Sequence, residues 1–256
     1  MYRERLENTP VHSENARYLQ RQLLAYHDFR HRKADHPLAS RLDRLTQWQA
    51  ARLKDTHRDL YCHPGYHHGL NFLLTDLYAP AGMTRRDDNI DRIFPKMVKW
   101  LPDPVLATFA GLVELNRVTQ QLDLALVETL ARLDHDLSTL TEAQYCEAYR
   151  AAASEGERQR QIELVSTIGR QLDRYVRNRT LGWLLSMTRG AAEMADLADL
   201  HDFLHRGYRA FRAMDDVDTL IDQLVRRESR VLSRILEAHP SPFRLNEEPA
   251  AQPSIS

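Results

Sequence analysis

Residues Asp103 to Asp134, DPVLATFAGLVELNRVTQQLDLALVETLARLD, decide the fold class. Asp103-Pro104 reads as a cap followed by proline at the first helical position, where its missing N–H costs nothing. Behind it, Val105, Phe109, Leu112, Leu115, Leu122, Leu126, Leu130 and Leu133 recur on one side of a helix. The spacing predicts one long helix, the fifth of the chain. Glu114, Asn116, Thr119 and Asp123 interrupt its leucines. Thr119 and Asp123 are four apart and share a face. Buried polar groups are expensive unless hydrogen-bonded, so these either meet solvent or form a network. The expected partner of Asp123 is Arg117 or an arginine of the seventh helix.

The same period extends in both directions. A first helix from Ser13 to Lys33 has Ser13 as its cap and is broken at Asp35-His36-Pro37. A second carries Leu42, Leu45, Trp48, Leu53 and Leu60 and stops near Pro64-Gly65. A third covers Tyr66 to Tyr78. A fourth starts with Asp87, Asp88 and Asp91 at its positive end. Thr141-Glu142-Ala143-Gln144 has capping-box spacing for the sixth, and Ser154-Glu155-Gly156-Glu157 repeats that signature for the seventh. The seventh has a stripe of Ile162, Val165, Ile168, Leu172 and Val176. An eighth spans Ala191 to Met214, and a ninth begins after Asp215 or Asp216. The expectation is an all-α chain, a single multi-helix bundle of about eight to nine helices over residues 1–238. Residues 239–256, with four prolines and few large apolar groups, read as a disordered tail.

Composition narrows function mainly by exclusion. The net charge of −1 gives no global field for nucleic acid or an anionic membrane. Arginines outnumber Lys33, Lys54, Lys96 and Lys99 heavily, but both signs are interspersed, which suits a solvated surface. Cys62 and Cys146 have neither metal-type spacing nor a disulfide framework. No apolar leader follows MYRERLENTP, and the longest apolar run, Leu181 to Met187, falls short of the ~20 residues of a membrane span. The expected location is cytoplasmic, with no membrane span and no nucleic-acid partner.

From His57 the chain reads HRDLYCHPGYHHGLNFLLTDLYAP. Within it Phe72, Leu73, Leu74, Thr75, Asp76, Leu77 and Tyr78 form a heptad that resembles the signature of the bacterial FFLEELY-motif proteins. Phe72, Leu74, Leu77 and Tyr78 match, Leu73 and Asp76 are conservative replacements, and Thr75 departs from Glu. Arg86-Asp87-Asp88, Ile93-Phe94-Pro95, Leu101-Pro102-Asp103, Glu157 to Glu163 and Phe203 to Tyr208 extend the resemblance over residues 40 to 215. It implies an all-helical protein and brings no activity, cofactor or catalytic residue with it. On a helix, Leu74, Leu77 and Tyr78 share a face, expected to pack against the second and fourth helices.

Several clusters bear on chemistry. His57, His63, His67 and His68 surround Cys62 and Tyr66, a ligand-rich set for zinc, although Pro64-Gly65 separates His63 from His67. His201-Asp202 with His205 resembles the dipeptide of helical HD-type metal phosphohydrolases. That chemistry needs a further histidine (His135 or His57) and a further aspartate (Asp218 or Asp222) on the same metals. His-Asp also occurs at His27-Asp28 and His135-Asp136, so the pair is weakly specific. Asp28-x-x-His31 and Asp202-x-x-His205 are shortened versions of the di-metal Glu-x-x-His step. Arg177 to Met187 combines a basic head with an apolar body, which suits a buried helix or a membrane surface. The reading adopted is a helical binding or adaptor module with no cofactor, a partner that is an unidentified protein or small molecule, and an open oligomeric state. The alternative is a metal-dependent hydrolase or oxidase using these histidines and carboxylates.

Overall fold

Ser13 starts the first long helix by accepting a hydrogen bond from the Ala16 N–H at 3.0 Å, which satisfies one orphan donor of the opening turn. The computed structural model describes residues 2–73, 83–177, 187, 190 and 198–245, and every regular element among them is a helix. In chain order these are α1 (Tyr2–Asn8), α2 (Glu14–Ala34), α3 (Leu42–Thr56), α4 (Arg58–Cys62), α5 (His67–Phe72) and α6 (Met83–Trp100). There follow α7 (Asp103–Arg132), α8 (Glu142–Ala151), α9 (Glu155–Val176), α10 (Ala198–Arg212) and α11 (Val217–Leu236). The capping box at Thr141 is formed, and Asp216 caps α11 by accepting from the Thr219 N–H at 3.0 Å.

Several boundaries differ from the sequence reading. The short α1 precedes the first expected helix and buries Leu6 completely, an element too brief for periodicity to register. The second expected helix is two, α3 and α4, broken at His57, whose ring turns inward to Glu228. Helix α6 starts at Met83, so Asp91 lies two turns inside it. Asp103 is the first residue of α7 and not its cap, Pro102 holding that position; its carboxylate accepts from Asn15 Nδ2 at 2.6 Å instead. Ser154 makes no capping bond at the start of α9, so only one of the two expected capping boxes forms.

Helix α7 runs through the middle. It packs on α2, α9, α8 and α3, while α9 packs on α11, and α10 lies against α5 and α9. Gly169 permits the α9–α11 contact: a Cβ there would stand 2.5 Å from Ile221 Cδ1. The buried apolar side chains form three clusters. One joins Leu126, Leu130, Tyr145 and Ile235; a second joins Leu19, Leu23, Phe94 and Leu106; a third joins Leu60, Phe72, Met214 and Leu220.

The chain after α11 turns back onto the first cluster. Phe243 is buried, 6.4 Å from the Trp48 ring and 6.1 Å from Tyr145, with the Arg52 guanidinium 5.2 Å above it. Arg234 Nη1 donates to the Arg244 carbonyl at 3.1 Å. Within residues 239–245, Pro242 and Phe243 are therefore buried, while His239, Pro240 and Arg244 stay exposed; Phe243 is one of the two anchors, with Leu245, that the sequence offers in this stretch.

Phe72, the first residue of the heptad, packs against α10, where its ring meets Phe203 at 5.4 Å, and shares the third cluster with Leu60. Leu73 is half-buried in the same cluster. Leu74, Thr75, Asp76, Leu77 and Tyr78 lie outside the described residues, as do residues 178–186 of the Arg177–Met187 segment. Among the described residues no helix is long and apolar enough to cross a membrane.

Candidate functional site

Leu112 and Leu115 of α7 are only half-buried, although α7 is the central helix. They face a cavity of about 790 Å³ on which all three apolar clusters border. Each helix around it contributes one stripe in helical phase. From α7 come Leu112, Leu115, Asn116, Thr119, Gln120 and Asp123; from α9, Arg158, Gln161, Ile162, Val165, Ile168 and Leu172. Helix α11 supplies Ile221, Leu224, Glu228, Val231 and Ile235, and α3 supplies Thr46, Gln49, Arg52 and Leu53. Thr119 and Asp123 thus share a face as expected, and Thr119 Oγ1 accepts from Gln161 Nε2 at 2.7 Å.

Most of the lining is apolar, with polar groups gathered around α3, α8 and the start of α9. Arg52 Nη1 donates to both Glu228 oxygens at 2.8 and 2.9 Å, and His57 Nε2 lies 2.8 Å from Glu228 Oε1. Burial works to raise the Glu228 pKa, but the Arg52 charge and the His57 and Arg52 hydrogen bonds hold it down to about 2. Burial works to lower that of Arg52, which Glu228 nevertheless holds above its ordinary value. Gln49 Nε2 donates to Tyr145 Oη at 3.3 Å. Burial also pushes the Tyr149 phenol up, so it stays a neutral donor near neutral pH.

Arg158 differs from Arg52 in having no carboxylate partner among the described residues. It is 6% exposed, lies over the Tyr149 ring at 4.4 Å, and leaves Nε and Nη2 without a hydrogen-bond partner among the described residues. A cation–π contact contributes about 0.5–2 kcal/mol, less than the several kcal/mol of desolvating a charge. Its position in the first turn of α9 also sets it against the positive end of that helix.

A second polar group borders the cavity from α2. Arg30 Nη2 donates to Asp91 Oδ2 at 2.5 Å, and His27 Nδ1 lies 3.2 Å from the same oxygen. Burial pushes the Asp91 carboxyl up against the pull of Arg30 and His27.

Arg160 of α9 donates to Glu114 at 3.0 and 3.1 Å, with Tyr18 as a further donor to that carboxylate, while Arg117 reaches Gln121 and Gln22. Asp123 itself is buried on the cavity wall.

The sequence-derived metal candidates are dispersed. His57 is held by Glu228; His63 Nδ1 accepts from the Gly65 N–H at 3.1 Å; His67 Nδ1 lies 3.0 Å from the Tyr61 carbonyl. His201 is buried in α10, its Nδ1 3.7 Å from Asp202, whose side chain is mostly exposed, and its ring stacks 6.2 Å from that of His205. His135 meets Glu147, and Asp218 and Asp222 pair with Arg170. Among the described residues no three His, Cys, Asp or Glu side chains are grouped to hold a metal.

Sequence reasoning gave no site role to Arg52, Tyr149, Arg158 or Glu228, although Arg158 lies in the Glu157 to Glu163 stretch of the family resemblance. Two of them carry a usable signal. Glu228 falls in phase with Ile221, Leu224 and Ile235, and Arg158 lies one turn before Ile162 on the α9 stripe. A charge in phase with an apolar stripe marks a buried charge.

No curated protein and no solved structure matches the chain. A family model described as a domain of unknown function, DUF8198, matches residues 5–242, and the chain belongs to that family.

Proposed function

We propose that the chain is a cytoplasmic binding module of the FFLEELY-motif kind, whose ligand is a small molecule with an apolar body held in the cavity among α2, α3, α7, α9 and α11. The observation that carries this reading is the set of in-phase stripes that line about 790 Å³ with mostly apolar side chains and a few clustered polar ones. Packed interiors leave few voids larger than a water molecule, whereas ligand sites span about 300–1,000 Å³ with this lining chemistry. The free thiols of exposed Cys62 and buried Cys146 suit a reducing compartment.

The neutral fluorophore N-phenyl-1-naphthylamine tests the reading. It should bind wild-type protein, and Val165→Trp, which fills the cavity from α9, should abolish the signal while leaving the helical circular dichroism intact. Equal binding by wild type and V165W would overturn it. The metal-dependent hydrolase or oxidase alternative requires His57, His63, His67, His201, Asp202 and His205 to converge in sets. Near-stoichiometric metal in protein purified without a histidine tag would favour that alternative.

A further inference from the structure

We infer that the ligand is an amphipathic anion, an alkyl chain ending in a carboxylate, and that Arg158 is the residue that binds its head; this rests on the cavity being the ligand site. Arg158 is more than nine-tenths buried and borders the cavity, and no hydrogen bond or ion pair reaches it from the described residues. Its unpartnered atoms are Nε and Nη2, which form one edge of the guanidinium. Their two N–H groups point the same way and match the two coplanar oxygens of a carboxylate.

The cation that α3 brings to the same wall already has its counter-charge. Arg52 is neutralised by Glu228, which also holds His57. Asp123 borders the cavity too and has interactions of its own. The Tyr149 ring fixes the guanidinium plane from one face and leaves its edge available. The positive end of α9 adds to the potential at the same place. Away from Arg158, the wall continues along α9 as Ile162, Val165, Ile168 and Leu172, faced by Leu112 and Leu115 of α7. A charged head at Arg158 thus places an alkyl chain along an apolar track.

Titration calorimetry with dodecanoate, dodecan-1-ol and dodecyltrimethylammonium, all below their micellar concentrations, tests the head group. The fluorophore is run beside them to report the cavity alone. Wild-type protein should prefer dodecanoate over dodecanol by at least about ten-fold, the worth of a charge-assisted pair of hydrogen bonds, and should bind the cationic amphiphile least. Arg158→Gln should erase the preference while still binding the fluorophore, and Arg158→Lys should retain part of it. Equal affinity for dodecanoate and dodecanol in wild type, or a preference that survives R158Q, overturns the inference with the cavity reading intact. Failure of the fluorophore and of every amphiphile to bind overturns both. Melting curves of R158Q and R158K establish that each variant is folded, and R158K carries the comparison if R158Q is not.

Discussion

Gly207 of α10 lies beneath the ring of Phe72, so close that a Cβ on it would stand 2.9 Å from Phe72 Cζ. The contact joins α5 to α10 through the first residue of the heptad. Gly207→Ala should destabilise the fold by about 1 kcal/mol, the overpacking cost less the gain in helix propensity. In a Phe72→Ala background the clash is gone, so the same substitution should become stabilising. Denaturant midpoints of the four proteins check this, and an unchanged sign in the double variant would sink it.

Glu228 supplies the clearest pH dependence. Its folded pKa of about 2 lies below the ordinary value of 4.5, so its contribution is complete above pH 4.5 and is lost as pH falls toward 2. The shift corresponds to about 3 kcal/mol, similar to the cost of removing one member of a buried ion pair. Glu228→Gln should therefore lose about that much at neutral pH, leaving Arg52 uncompensated. Its stability should also fall less steeply than wild type between pH 5 and about 2. Parallel acid titrations of both proteins would refute the assignment.

Phe243 anchors the segment after α11 against Trp48 and Tyr145. Phe243→Ala should cost about 3 kcal/mol, in the range of buried phenylalanine truncations, and should lower the melting temperature. A loose segment would leave it unchanged.

Ala238, just past the Glu237 cap of α11, has φ of 56°, while His239 N–H closes the turn on the Arg234 carbonyl at 2.8 Å. A side chain in the left-handed region costs about 1–2 kcal/mol that glycine avoids, offset in part by the greater entropy of the unfolded glycine chain. Ala238→Gly should raise stability by about 0.5–1 kcal/mol. A lower denaturation midpoint would contradict the strain.

Local chemistry made much of this fold legible. Thr141 with Gln144, Ser13 with the Ala16 N–H and Asp216 with the Thr219 N–H are contacts within three residues, so a sequence window contains both partners. Ser154 had the same pattern and made no such bond, because a cap motif permits a contact that the surrounding packing need not form. The break at His57 carried no local signal.

What the sequence by itself determined was the helical class and most of the stripes, since 3.6-residue periodicity is a property of each segment alone. Which stripe faces which was decided only by tertiary structure. The Arg52–Glu228 pair joins positions 176 residues apart, and the Phe72–Gly207 contact crosses from α5 to α10. The cavity is more remote still from a linear reading: it exists because stripes from several helices converge without filling the space between them. That convergence places Arg158, one charge among many in the sequence, on its wall with Nε and Nη2 unpaired among the described residues.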